Sequence, residues 1–217
     1  LYNITLGLFV AVLLISNIAS TKIVQIWKFS FDGGTILFPL AYIFGDVLTE
    51  VYGYKLSRRI IWTGFFSLAL MILIFYIVAK LPSAEGWDNQ EAYATILLAT
   101  PRIVLGSFVA YFSGEFTNSF ILSKMKIITK GKHLWARTIS STLAGQIIDT
   151  GIFCLIAFYG LYSNELLLVI IISNYIFKVG IEILLTPVTY KVIKYYKTKE
   201  NIDVYDLNTN YNPFKFD

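Results

Sequence analysis

Eight ionisable side chains lie inside stretches that are otherwise strongly apolar: Asp46, Glu50, Glu115, Asp149 and Glu182, with Lys22, Arg102 and Lys178. At the centre of a bilayer each costs about 2.5–3.5 kcal/mol on insertion scales, so they must face one another or a wet cavity. Spacing shows which of them share a helix face. Asp46 and Glu50 stand four apart, as do Asn174, Lys178 and Glu182 in succession; Gln146 and Asp149 stand three apart, as do Glu115 and Asn118. Asn17 and Thr21 form one more such pair, with Lys22 adjacent. Carboxylates on these stripes can accept N–H donors in bidentate fashion, and amides can read both donors and acceptors. Taken singly, each charge fits a neutralising pair, such as Lys178 with Glu182, or Asp46 or Asp149 with Lys22 or Arg102, since buried ions are usually paired. Taken together, three bases against five acids leave two acids unmatched. Some carboxylate is then protonated, solvated or ligand-bound, and buried carboxylates are candidate proton carriers.

The elements that hold these stripes follow from composition. The 217 residues are 56% hydrophobic and only 15% charged, with mean hydropathy +0.65, against about 25% charged in soluble chains. Six stretches approach the ~20 apolar residues of a membrane-crossing helix: about 3–21, 35–54, 59–79, 94–123, 137–160 and 165–193. The expected fold is therefore all-α, a polytopic membrane bundle of six transmembrane helices over residues 1–199 with a cytoplasmic tail over 200–217. The first stretch lacks a basic leader and reads as a span rather than a cleaved signal. The stretch over 59–79 carries no ionisable group from Ile60 to Ala79 and is expected at the periphery. At about 1.5 Å per residue, Asp46, Gln146, Asp149, Asn174 and Lys178 all fall near the midplane, where carriers place their substrates. Glu50, Glu115 and Glu182 fall deeper toward the cytoplasm, and Asn17 and Lys22 toward the exterior.

Basic residues orient the bundle. Lys55, Arg58 and Arg59, then Lys124, Lys126, Lys130, Lys132 and Arg137, then Lys191, Lys194, Lys197, Lys199 and Lys215 all fall on one side of a six-span reading. Only Lys28 and Lys80 fall on the other, which places both termini in the cytoplasm. The net charge of +4 is thus topology and not a nucleic-acid surface. Ile23 to Phe31, closed by the turn signal Asp32-Gly33-Gly34, suggests a short outer hairpin or re-entrant segment. Thirty residues over 94–123 are too many for one straight crossing, and Pro101 either kinks the helix or separates an outer helix from the span. The lone Cys154 excludes an internal disulfide or multi-cysteine metal site. Nothing calls for a cofactor, and small residues such as Ser141 and Gly145 suit packing within a monomer or across a homodimer.

The run Gly45-Asp46-Val47-Leu48-Thr49-Glu50-Val51-Tyr52-Gly53-Tyr54, followed by Arg58-Arg59, resembles the signature of the queuosine precursor transporter family, also described as vitamin uptake transporters. Gly145-Gln146-Ile147-Ile148-Asp149-Thr150, the spacing of Tyr175, Lys178, Glu182 and Pro187, and Asn17 with Lys22 are similar to its further signatures. The likeness extends from Asn17 to about Tyr190. It implies a multi-pass bacterial inner-membrane carrier that imports 7-deazaguanine bases, such as 7-cyano- and 7-aminomethyl-7-deazaguanine, for queuosine salvage in tRNA. The stripes suit such a nucleobase-like ligand. Asp149 or Asp46 would take the guanine-like donor edge, Gln146 and Asn174 the remaining polar atoms, and Lys178 the ring carbonyl or the charge balance. Asn17, Lys22, Glu50, Glu115 and Glu182 would serve coupling or gating.

Three other readings fit less. An intramembrane aspartyl protease would use Asp46 and Asp149 as a dyad sharing one proton, but residues 43–46 read Ile-Phe-Gly-Asp without the Gly-x-Gly-Asp pattern. A vitamin-binding membrane subunit of an ATP-driven importer would take its ATPase in trans, since no Walker A loop is present. A purely structural scaffold would leave the buried charges unexplained. His133 lies in a basic loop and supports no Ser-His or metal chemistry.

Overall fold

A computed structural model describes residues 1–26, 29–98, 101–161 and 163–215. Lys28 and the Arg102 side chain, both named above, lie outside the described parts. Seven α-helices appear among the described residues: α1 (Tyr2–Ala19), α2 (Phe38–Tyr52), α3 (Tyr54–Lys80), α4 (Gln90–Leu97), α5 (Pro101–Ile128), α6 (Leu134–Phe158) and α7 (Asn164–Glu200). Between α1 and α2, strands β1 (Ile23–Ile26) and β2 (Phe29–Asp32) pair antiparallel, with Ile23 opposite Asp32 and Ile26 opposite Phe29. A 3-10 turn over Gly33–Ile36 follows.

Four helices, α1, α3, α6 and α7, are long and apolar enough to cross a membrane. The two remaining stretches read above as crossings fall short of that measure, α2 by its length and α5 by its polar load. At 15 residues, α2 is about 22 Å long and carries Asp46, Thr49 and Glu50. α5 carries Glu115, Asn118, Ser119 and Ser123. Pro101 opens α5 rather than kinking a continuous helix, and α4 stands as a separate short element before it. This is the position where a residue without an N–H is best tolerated.

α2 lies at the centre. Nearly every residue from Tyr42 to Tyr54 is buried, and Val47, Leu48 and Val51 join Phe9 of α1, Ile60 of α3 and Ile193 of α7 in one apolar core. α3 turns Phe66, Leu70, Leu73 and Ile77 outward, the lipid-facing pattern of its stretch from Ile60 to Ala79, which carries no charged side chain. Gly53 joins α2 to α3 at φ +80°, a backbone region that disfavours a side chain. A Cβ there would come within 2.8 Å of Val204. Pro187 sits inside α7 and removes one helical hydrogen bond there.

The chain after α7 returns over the end of the bundle rich in lysine and arginine. Asp206 accepts from the backbone N–H of Tyr54 at 2.9 Å and from the Ser123 hydroxyl at 2.6 Å. Arg58 donates to the carbonyls of Asn210 and Asn212, and the Trp62 indole donates to that of Pro213. Phe214 packs beside Trp62 and Phe112, with ring centroids 5.9 and 5.8 Å away.

Candidate functional site

α5 and α6 form the most extensive helix pair in the bundle, and two glycines allow it. A Cβ on Gly114 would fall 2.8 Å from the Cβ of Asp149, and one on Gly145 would fall 3.0 Å from the Cβ of Asn118. Small residues at such a crossing let the backbones approach, and here they bring Asn118 and Asp149 into one layer. Replacing Gly114 with leucine is expected to push α5 from α6 and lower stability by about 1–3 kcal/mol, the usual range for overpacking. Thermal unfolding in detergent checks this.

Within this layer, Asn118 donates through Nδ2 to Oδ1 of Asp46 at 3.1 Å. Lys178 of α7 donates to Oδ2 of Asp149 on α6 at 2.8 Å, with about a fifth of each side chain exposed. Lys178 is therefore paired across the helix interface. Glu182, one turn along α7 from Lys178, is also buried. Tyr42 of α2, one turn before Asp46, is buried as well. The carboxyl of Glu115 lies against Gly45. Four helices thus converge on one polar layer.

What this layer leaves unmade defines its chemistry. Asp46 Oδ2, Asn118 Oδ1, Gln146 Oε1 and Glu182 Oε1 are buried and have no hydrogen-bond partner among the described residues. The hydroxyls of Thr142 and Thr150 on α6 are in the same state. An unsatisfied buried polar atom carries a desolvation penalty of about 1–3 kcal/mol, and native proteins hold only a few per hundred residues. Four acceptor oxygens on neighbouring helices form a surface complementary to a ligand rich in N–H donors. The layer is closed in this conformation: Asp46 is 0% and Gln146 1% exposed. Two open hollows lie elsewhere, one beside α4 at Asp88, Glu91 and Thr95 and one between α6 and α7 at Leu155, Tyr159 and Leu168.

Glu50 belongs to a different assembly, at the basic end. It is 0% exposed and receives Arg137 in a fork, Nε at 2.9 Å and a terminal nitrogen at 2.6 Å, together with Lys197 at 2.6 Å. Lys126 donates to the Glu50 carbonyl and to Asp203, both at 2.5 Å, and Lys197 approaches Asp203 at 2.8 Å. One carboxylate thus ties α2, α6 and α7 together, and Lys126 adds α5 and the C-terminal return. The charge balance drawn from sequence changes accordingly, because bases counted there as loop and tail charges neutralise Glu50. Asp46, Glu115 and Glu182 remain without a cation among the described residues. Burial pushes the Asp203 carboxyl up, but hydrogen bonds from Lys126 and Lys197 hold it below the usual range. A depressed value contributes docking energy above the ordinary ~3.9 that is lost as pH falls through the folded value. Limited proteolysis is expected to find the return segment protected at neutral pH and cleaved in acid.

The remaining predicted positions stand apart. Asn17 donates to Leu13 O and Asn174 to Ile170 O, each one turn back along its own helix. Lys22 is exposed. Among the described residues, no hydrogen bond or ion pair joins these three to the central layer. Sequence reasoning placed Asn118 on a stripe without giving it a role. It also missed Lys126, Arg137 and Lys197 as partners of a buried acid. For Asn118 the signal was its spacing from Glu115, whereas the partners of Glu50 lie 76 to 147 residues away and leave no local pattern.

Long apolar helices packed around a buried polar layer are the arrangement of a multi-pass membrane protein. The profile of the family described as "Putative vitamin uptake transporter" matches residues 32–192. The chain belongs to that family, whose members are transporters and not enzymes. It is similar to the "Queuosine precursor transporter" of Escherichia coli (strain K12), 29% identical over 191 residues, 85% of this chain and 82% of that protein. It is also similar to the "Probable queuosine precursor transporter" of Bacillus subtilis (strain 168), 29% identical over 180 residues, 82% and 79% of the two chains. A protein of the same name from Haemophilus influenzae is 27% identical over 170 residues, 76% and 70%. No solved structure matches the chain.

Proposed function

We propose that the chain carries queuosine precursors of the 7-deazaguanine class across the bacterial inner membrane. The observation that carries this reading is the layer of unpartnered acceptor oxygens on Asp46, Asn118, Gln146 and Glu182. A guanine-like base offers a ring N–H and an exocyclic amine along one edge, and these donors complete the layer. Asp149 already accepts from Lys178, so the donor edge falls to Asp46 with Asn118 and Gln146. Lys178 balances Asp149 and faces the ring carbonyl, and Tyr42 supplies an aromatic wall.

In this reading α2 and α5 cross the membrane with the four longer helices, giving six spans. The basic end and both termini face the cytoplasm, and the β1–β2 hairpin lies outside. The Glu50 assembly closes the cytoplasmic end. Glu115 and Glu182 adjust the charge of the layer as it opens, and Asn17, Lys22 and Asn174 line the approach from outside. Since the layer is buried, the base reaches it only when α2 and α7 separate from the α5–α6 pair.

The test uses bacterial cells that neither make the precursor nor carry another importer. Expression of the chain is expected to restore queuosine in tRNA when 7-cyano-7-deazaguanine is supplied outside. Unmodified tRNA despite normal protein in the membrane would contradict the reading.

A further inference from the structure

We propose that the hydroxyl of Thr150 on α6 reads the substituent at position 7 of the carried base. This rests on the substrate reading above and assigns one further side chain of the same layer.

Thr117, Thr138 and Thr186 close on their own helix backbones, donating to the carbonyls of Ser113, Leu134 and Glu182 at 2.7, 3.1 and 3.0 Å. Thr150 makes no such bond. It is 2% exposed, and its hydroxyl is buried without a partner among the described residues. Thr150 stands four residues from Gln146 within the continuous helix Leu134–Phe158, so two unpartnered polar groups share one face. The next residue on that face is Cys154, buried and packing as a small apolar group. Thr150 is therefore the last polar group of the stripe before an apolar end. A buried hydroxyl left unmade is costly, and a ligand atom at this end of the layer removes that cost.

The crossing of α5 and α6 fixes which part of the base arrives there. Gly145 meets Asn118 and Gly114 meets Asp149. Asn118, with its bond to Asp46, thus lies level with Gly145 and Gln146. The Asp149–Lys178 pair lies one turn farther from the basic end, next to Thr150 in the chain. Around the rim of a 7-deazaguanine the exocyclic amine, ring N–H, carbonyl and 7-substituent follow one another in that order. With the donors against Asp46, Asn118 and Gln146 and the carbonyl at Lys178, the 7-substituent comes to Thr150. A hydroxyl both donates and accepts: Thr150 donates to a nitrile nitrogen and accepts from an aminomethyl group. A base bare at position 7 leaves the hydroxyl unpaired, and a polar group left unpaired in the site is what discriminates against it.

Uptake of labelled 7-cyano-7-deazaguanine into liposomes containing only this chain is competed with the unlabelled base, its 7-aminomethyl analogue and plain 7-deazaguanine. In the wild-type chain both substituted bases are expected to compete about five- to a hundredfold better than the plain one. Valine has the shape of threonine without the hydroxyl. Thr150→Val, and Thr150→Ala as a second variant, are expected to erase this preference by weakening the substituted bases alone, whereas Thr150→Ser keeps it. A merely structural threonine would weaken all three competitors alike. Equal competition by the three in the wild-type chain, a preference that survives Thr150→Val, or a uniform loss in the variants would overturn the role of Thr150 and leave the substrate reading intact. Absence of saturable uptake of 7-cyano-7-deazaguanine by the wild-type chain would overturn both.

Discussion

Replacing Glu50 with glutamine is expected to destabilise the folded protein by about 3–5 kcal/mol, the usual effect of removing one partner of a buried ion assembly. Arg137 is 1% and Lys126 2% exposed, and both depend on this residue, Arg137 on its carboxylate and Lys126 on its carbonyl and nearby charge. Glutamine keeps the carbonyl and the volume but removes the charge, leaving Arg137 without compensation inside the bundle. Lys197 retains Asp203 and about a fifth of its surface in solvent, so Lys197→Met is expected to cost much less. Thermal unfolding in detergent, with membrane content of each variant as a second readout, separates them. Unfolding of Glu50→Gln at the wild-type temperature would show that the assembly contributes little.

The opposite behaviour is expected at Gln146. Its Oε1 is buried with no partner among the described residues, so Gln146→Leu removes an unsatisfied acceptor and leaves stability unchanged or raised. Transport is expected to suffer instead. A bound base would place a donor against leucine, and an unpaired buried donor costs about 1–3 kcal/mol, which is about five- to a hundredfold in affinity at 1.4 kcal/mol per decade. Asn118→Leu adds the loss of its bond to Asp46 and is expected to fall further. Measured together, Glu50→Gln loses protein and Gln146→Leu loses uptake. If Gln146→Leu transported like wild type, the central layer would not be the substrate site.

Local periodicity made the central layer legible. The spacing of Gln146 and Asp149, and of Asp46 and Glu50, placed those side chains on shared helix faces before any contact was known, and the apolar runs marked the long helices. Three features were not legible, each because it depends on contacts distant in sequence. Asp46 and Glu50 lie one turn apart on α2 yet enter different assemblies, since Glu50 is claimed by Arg137 and Lys197 from other helices. The bases that neutralise it read as topology signals because charge near a span end looks alike whether it meets lipid headgroups or a buried acid. The segment after Glu200 read as a polar extension, yet Asp203 and Asp206 dock it against Lys126, Ser123 and Tyr54. Pro101 was informative in kind but ambiguous in outcome, since a proline fits both a kink and a helix start.

The most direct test is competition for uptake of labelled 7-cyano-7-deazaguanine into liposomes that contain only this chain. The competitors are the unlabelled base and its analogue lacking the exocyclic amine. A layer built of acceptor oxygens rejects a ligand that cannot fill them, so the analogue is predicted to compete at least about a hundredfold less well. Equal competition by the two would contradict the assignment of the Asp46, Asn118, Gln146 and Glu182 oxygens as the reader of the donor edge.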